Sequence, residues 1–146
     1  LPIGLRNTCR GLETLGDAFG RKRAVGALVD RERTELERRL LPFVTNVLAG
    51  KGAIVVADPW TAAALVAAAR ELGMGVPLAI VLRRANAPDL EPGALRAAGA
   101  DEVWIDPDRD EVADRFRSLA ERRLGDVVVG SAVVRDEAER AVLPYL

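Results

Sequence analysis

Apolar positions along the chain follow two regimes that meet near residue 50. Before that point they recur at helical spacing. Leu12, Leu15, Ala18 and Phe19 form one face, with Asn7 or Thr8 as the expected N-cap and an end near Gly20. The charged stretch RERTELERRL then carries Leu36, Leu40, Phe43, Val44 and Val47 at the same period. Pro42 interrupts it, which predicts a kink or two helices meeting there, and Gly50 is the natural stop.

From Gly52 onward, short continuous apolar runs alternate with helical patterns. AIVVA (53–57), VPLAIVL (76–82), DEVWI (101–105) and DVVVG (126–130) read as strands, the first as one buried on both faces. Between them lie an alanine-rich helix from Pro59 to Leu72 that stops at Gly73, and a short helix over 94–98. A helix over 109–124 buries Val112, Phe116 and Leu119, and a last one lies near 134–142. A loop with Asn86, Pro88, Pro92 and Gly93 follows the second strand. This alternation predicts an α/β fold: a Rossmann-like open parallel sheet of about four strands with flanking helices, preceded by two N-terminal helices. The expected organisation is a helical lead-in over 1–50 and a Rossmann-like α/β domain over 51–146.

Composition narrows the chemistry. At 146 residues and 49% apolar, the chain holds one domain with a real core. Its 21 basic and 22 acidic residues cancel, so no large electrostatic term favours nucleic acid or an anionic membrane. The longest apolar stretch is broken by Asp58 and Pro59, which argues against a membrane span. There is no histidine, which removes the commonest general base and metal ligand; the single Cys9 excludes an internal disulfide framework and fits a cytoplasmic setting. Lacking an initiator Met and stopping at Pro144-Tyr145-Leu146, where a strand would begin, the sequence reads as a piece of something longer.

In an open parallel sheet, ligands bind beyond the carboxyl ends of the strands. That rim comprises the loops 58–61, 83–93, 106–109 and 131–135. The first has no glycine after its strand, where a dinucleotide fingerprint requires close backbone approach to a pyrophosphate, and Asp58 would repel a phosphate. Helix capping accounts for Asp58, with Pro59 in the favoured first position. Trp60 either shields the helix start or offers a flat face to a planar ligand or partner. Asp106, Asp108 and Asp110 alternate as metal ligands do but lack the glycine and terminal glutamate of a calcium loop, so a solvated helix start explains them better. Ser131 lacks a base and suits a helix cap, Arg135 could meet an anion or a surface carboxylate, and Cys9 lies near a helix start. The run from Arg31 to Arg39 is a solvated face.

Taken in order, several segments resemble the nitrogenase component-1 superfamily, which includes catalytic nitrogenase subunits, cofactor-assembly scaffolds and dark-operative protochlorophyllide and chlorophyllide reductases. LPIGLRNTCRGLETLGDAFG (1–20) is similar to that family's turn "P-x-G-x-x-x-T" leading into a helix, and DRERTELERRL (30–40) to the charged helix before its "GK" and strand, here GKGAIVVADP (50–59). ELGMGV (71–76) matches "elGm.v", and GDVVVGSAVVRDEAERAVLPYL (125–146) resembles "pDlvvGss…a…giPy".

The resemblance implies the central domain of a subunit in an ATP-driven two-component reductase, or of the scaffold on which its cofactor is assembled. It implies a homologous partner subunit in a hetero-oligomer and an ATP-dependent iron–sulfur reductase protein as electron donor. An iron–sulfur cluster or metallocluster is implied for the parent complex, with none expected in this segment and no activity expected of it alone. The family's cofactor-facing turn after its first central strand, glycine-rich with an arginine, corresponds to Asp58, Pro59, Trp60 and Thr61. The loop bordering the same cavity corresponds to Gly130 through Arg135, including Ser131. A bulky acidic turn departs from the catalytic nitrogenase pattern and favours a scaffold or a tetrapyrrole reductase, with Trp60 against a flat macrocycle. Two other readings compete. LRAAGADEVWIDP (95–107) resembles half of a regulatory nucleotide-binding domain, though the glycine fingerprint is missing; the alternative is a protein-interaction module without catalysis.

Overall fold

A computed structural model describes residues 3–83 and 91–146. The loop positions Asn86 and Pro88 lie outside the described residues. Two helices lead in, α1 (Leu5–Ala18) and α2 (Lys22–Phe43). The cap of α1 is Gly4 and not Asn7 or Thr8. Both side chains lie inside the first turns and bond backwards, Asn7 Nδ2 donating to the Ile3 carbonyl at 2.9 Å and Thr8 Oγ1 to that of Gly4 at 2.8 Å. A short polar side chain can serve either use, and here the turn begins early enough to make it the second.

The helix α2 does not break at Pro42. It passes through the proline and continues into a π-helical stretch, Val44–Leu48, whose last bond runs from Ala49 N–H to the Val44 carbonyl at 2.8 Å. Proline removes one donor and crowds the preceding turn, and widening the next turn accommodates that.

The α/β part runs β1 (Gly52–Ala57), α3 (Pro59–Glu71), β2 (Gly75–Val81), α4 (Pro92–Ala98), β3 (Val103–Ile105), α5 (Arg109–Glu121), β4 (Val127–Gly130), a 3₁₀ turn (Ala132–Val134) and α6 (Arg135–Arg140). The third strand is shorter than its apolar run, and α6 is shorter than its helical pattern at both ends, the 3₁₀ turn taking Val134 and the chain leaving the helix after Arg140, with Val142 at φ +57°. All pairings are parallel and the order is β3-β2-β1-β4. The last residues extend this ladder, with Val128 N–H donating to the Pro144 carbonyl at 2.8 Å and Leu146 N–H to that of Val128 at 2.8 Å.

Every residue of β1 is buried. Ala53, Val55 and Ala57 pack with Ala62 and Val66 of α3 and Leu95 of α4. Ile54 and Val56 face the other way, against Val112, Phe116 and Leu119 of α5 and Ala138 of α6. Period-2 alternation thus builds two cores, one on each face of the sheet. The apolar face of α1 is not absorbed by either: Leu12, Leu15 and Phe19 are exposed, as are Leu40, Leu41 and Phe43 of α2.

Candidate functional site

The chain leaves β1 through α3 on one face and steps outward to β2 and β3. It returns through α5 on the opposite face to place β4 on the other side of β1. The carboxyl ends of β1 and β4 are therefore neighbours whose helices diverge to opposite faces. That is a topological switch point, where doubly wound sheets open their ligand crevice. The turns Asp58–Thr61 and Ser131–Arg135 form its two lips.

The lips are tied together by backbone. Ser131 N–H donates to the Val56 carbonyl at 2.7 Å, just beyond the Val56–Gly130 register. Gly130 makes this approach possible. Its φ is +134°, and a Cβ there would lie 1.9 Å from the Val56 carbonyl oxygen, so a side chain is excluded on both counts.

On the first lip, Asp58 is extended (φ −65°, ψ 163°) and caps α3. Its Oδ1 accepts from the N–H groups of Trp60 at 3.0 Å and Thr61 at 3.1 Å, and its Oδ2 accepts from Thr61 Oγ1 at 2.8 Å. Pro59, buried at the first helical position, needs no acceptor for its nitrogen. The donors that a phosphate would use at this helix start are thus already engaged by a carboxylate, the physical reason a nucleotide fits poorly here. Trp60 is 59% exposed. It helps line a groove of about 820 Å³ between α1 and α3, together with Gly11, Leu12, Leu15, Ala63, Ala64 and Ala67.

On the second lip, Ser131 starts the 3₁₀ turn and its Oγ accepts from Val133 N–H at 3.5 Å, a long bond. Arg135 lies over the Tyr145 ring, 5.3 Å from its centroid, while the Tyr145 hydroxyl donates to the Gly130 carbonyl at 2.6 Å. The six residues singled out in the sequence therefore fall on adjacent lips but are not gathered into one cluster. Trp60 lines the α1–α3 groove, which includes neither Ser131 nor Arg135.

Sequence reasoning missed Glu137 and Arg109 beside this lip. Glu137 is 4% exposed. Its Oε1 lies 3.6 Å from Arg109 Nε, and its Oε2 is buried without a hydrogen-bond partner. Arg109 also donates to the Val133 carbonyl at 3.0 Å. The signal was present: Glu137 shares the helical face of Ala138 and Ala141, both buried.

The acidic rim residues do not converge. Asp106 accepts from Arg83 N–H at 2.7 Å and pairs with its guanidinium at 3.3 Å, while Asp108 and Glu111 form the capping box of α5. Among the described residues no group of three or more His, Cys, Asp or Glu could hold a metal ion. The donor set at the lips, a carboxylate already accepting three hydrogen bonds plus an indole, a serine and a stacked arginine, does not fit ligation of a metallocluster. Nor, among the described residues, is any helix long and apolar enough to cross a membrane.

Comparison with solved structures bears on the fold. A chain described as "Nitrogenase Cp1 at pH 6.5" superposes with a TM-score of 0.75 at 21% identity, covering 99% of this chain and 31% of that one. At this identity the likeness is one of fold, and this chain spans about a third of the length of the chain it matches. Residues 1–145 match the profile of the family described as "Nitrogenase component 1 type Oxidoreductase", and the chain belongs to that family. No curated protein matches it significantly.

Proposed function

We propose that the chain forms the central domain of a nitrogenase-like component-1 subunit, with residues 1–50 as helical lead-in and 51–146 as the Rossmann-like unit. In this reading its switch point forms part of the wall of a cavity holding a metallocluster or a tetrapyrrole. The observation that carries it is the position of the turns 58–61 and 131–135, side by side at the carboxyl ends of β1 and β4. The turns act as wall and not as ligands, so a cluster would take its ligands from residues outside those described here. The parent would work in the cytoplasm in an ATP-driven two-component reductase, or as the scaffold for assembly of its cofactor. It would act with a homologous partner subunit and an iron–sulfur reductase protein.

Trp60 favours a flat substrate over a compact cluster, because a half-exposed indole lining a small-residue groove offers a planar stacking surface. The test is Trp60→Ala in the full-length subunit assembled with its partner. Substrate affinity measured by tetrapyrrole absorbance should fall about tenfold, the scale of one lost aromatic stack. Unchanged affinity in an intact complex would remove the stacking role. Reductase activity of the full assembly with the ATP-dependent donor separates an enzyme from a scaffold.

A further inference from the structure

At the far side of the sheet, β3 is an edge strand. The parallel ladder turns the N–H and C=O of Trp104 toward β2, bracketed by Ala79 N–H to the Glu102 carbonyl and Asp106 N–H to that of Val81, each 2.9 Å. The backbone groups of Val103 and Ile105 therefore point away from the sheet. Among the described residues nothing pairs with them.

Glu111, Asp114, Arg115 and Ser118 of α5 line, together with Trp104, Ile105 and Pro107, a trench of about 660 Å³ at this edge. Trp104 is fixed in its lining, its Nε1 donating to Glu102 Oε1 at 2.7 Å, while Glu102 also pairs with Arg115.

The charge is one-sided. Residues 101–118 hold seven acidic and three basic side chains, against a net charge of −1 for the whole chain. Arg109 is turned to Glu137, Arg115 to Glu102 and Arg117 to Asp114. Among the described residues, Asp101 and Asp110 make no ion pair. A second copy of this chain would bring two acidic edges together, which like-charge repulsion disfavours.

We infer that the free edge of β3 receives an extended, lysine- or arginine-bearing segment of a different protein by strand addition. Val103 and Ile105 supply the main-chain hydrogen bonds, and Glu111 and Asp114 select for cations. This inference does not depend on the cavity reading above.

The test uses the 146-residue chain and a short peptide of alternating lysine and valine. Amide hydrogen exchange at Val103 and Ile105 should slow by about tenfold or more on saturation, as a new ladder requires. Charge removal by Glu111→Gln with Asp114→Asn, both exposed, should weaken that protection several-fold, while glutamine keeps the reach-back of the α5 capping box and the thermal midpoint of the free chain falls by no more than about 4 °C. A peptide of the same sequence N-methylated at every residue should give no protection, since in either register it has no N–H to donate to the edge. Equal protection by the N-methylated peptide would reduce the effect to surface charge and overturn the inference. So would failure to protect the two amides, or their protection by self-association at rising chain concentration.

Discussion

Replacing Asp58 by alanine, asparagine and serine separates its capping role from any role of its charge. Alanine removes the acceptor of two backbone N–H groups at 3.0 and 3.1 Å and of the Thr61 hydroxyl at 2.8 Å. Loss of an N-cap acceptor destabilises by about 0.5–2 kcal/mol, and loss of a carboxylate at the positive end of a helix adds about 0.3–1 kcal/mol. Because α3 carries Ala62, Val66 and Ala69 into the core, fraying of its first turn is transmitted to the sheet, and a total of about 2 kcal/mol is expected. For a chain of this size that lowers the thermal midpoint by about 6 °C. Asparagine and serine keep an acceptor and lose only the charge, so they should stay within about 1 kcal/mol of the parent. Urea denaturation followed by far-ultraviolet circular dichroism measures all three. Equal destabilisation by alanine and asparagine would refute the capping argument and shift the weight to charge. With the cap confirmed, a functional defect of Asp58→Asn in the assembled complex, at unchanged stability, would report on the cavity.

Further outcomes follow from other positions. Gly130→Ala should destabilise by about 4 kcal/mol or prevent folding, since its Cβ would meet the Val56 carbonyl at 1.9 Å with φ at +134°; a denaturation midpoint near that of the parent would contradict this. Val142 is 87% exposed and sits at φ +57°, a left-handed conformation that its branched side chain resists, so Val142→Gly should raise stability by about 0.5–1 kcal/mol in the same assay. Arg109→Ala leaves the buried Glu137 without its charge partner and should destabilise by about 2 kcal/mol, with Glu137→Gln in the same background recovering part of the loss. The Arg38 and Arg39 guanidinium groups hold the Glu35 carboxyl below its ordinary 4.5. The small stabilisation this gives is complete above the ordinary carboxylate range and is lost as pH falls through the lower folded value; Arg38→Ala with Arg39→Ala should return the Glu35 titration, followed by NMR, toward 4.5.

What the sequence disclosed was local chemistry. The run from Ala53 to Ala57, the Asp58–Pro59 start and the Gly73 stop are each fixed by neighbours along the chain, and all three stand as read. The core residues of α5 were legible for the same reason, because Val112, Phe116 and Leu119 share a face whatever the helix meets. The cap of α1 was misread because Asn7 and Thr8 can bond forward or backward, and only the position of Gly4 decides. Strand order, and with it the switch point, depends on where β4 docks, which no local pattern encodes. The Glu137–Arg109 pair needs α5 and α6 side by side, and the groove at Trp60 needs α1 to diverge from α3.

The pairing of β1 with β4 has a consequence in time as well as in space. Gly52 is bonded to Asp126 across 74 residues, whereas it pairs with Gly75 only 23 positions on. Closing the longer loop costs about 1 kcal/mol more in chain entropy, and such contacts form late. The unit from β1 to β3 can therefore assemble while β4 is still unplaced, and the crevice at the switch point comes into being only with the final docking of that strand.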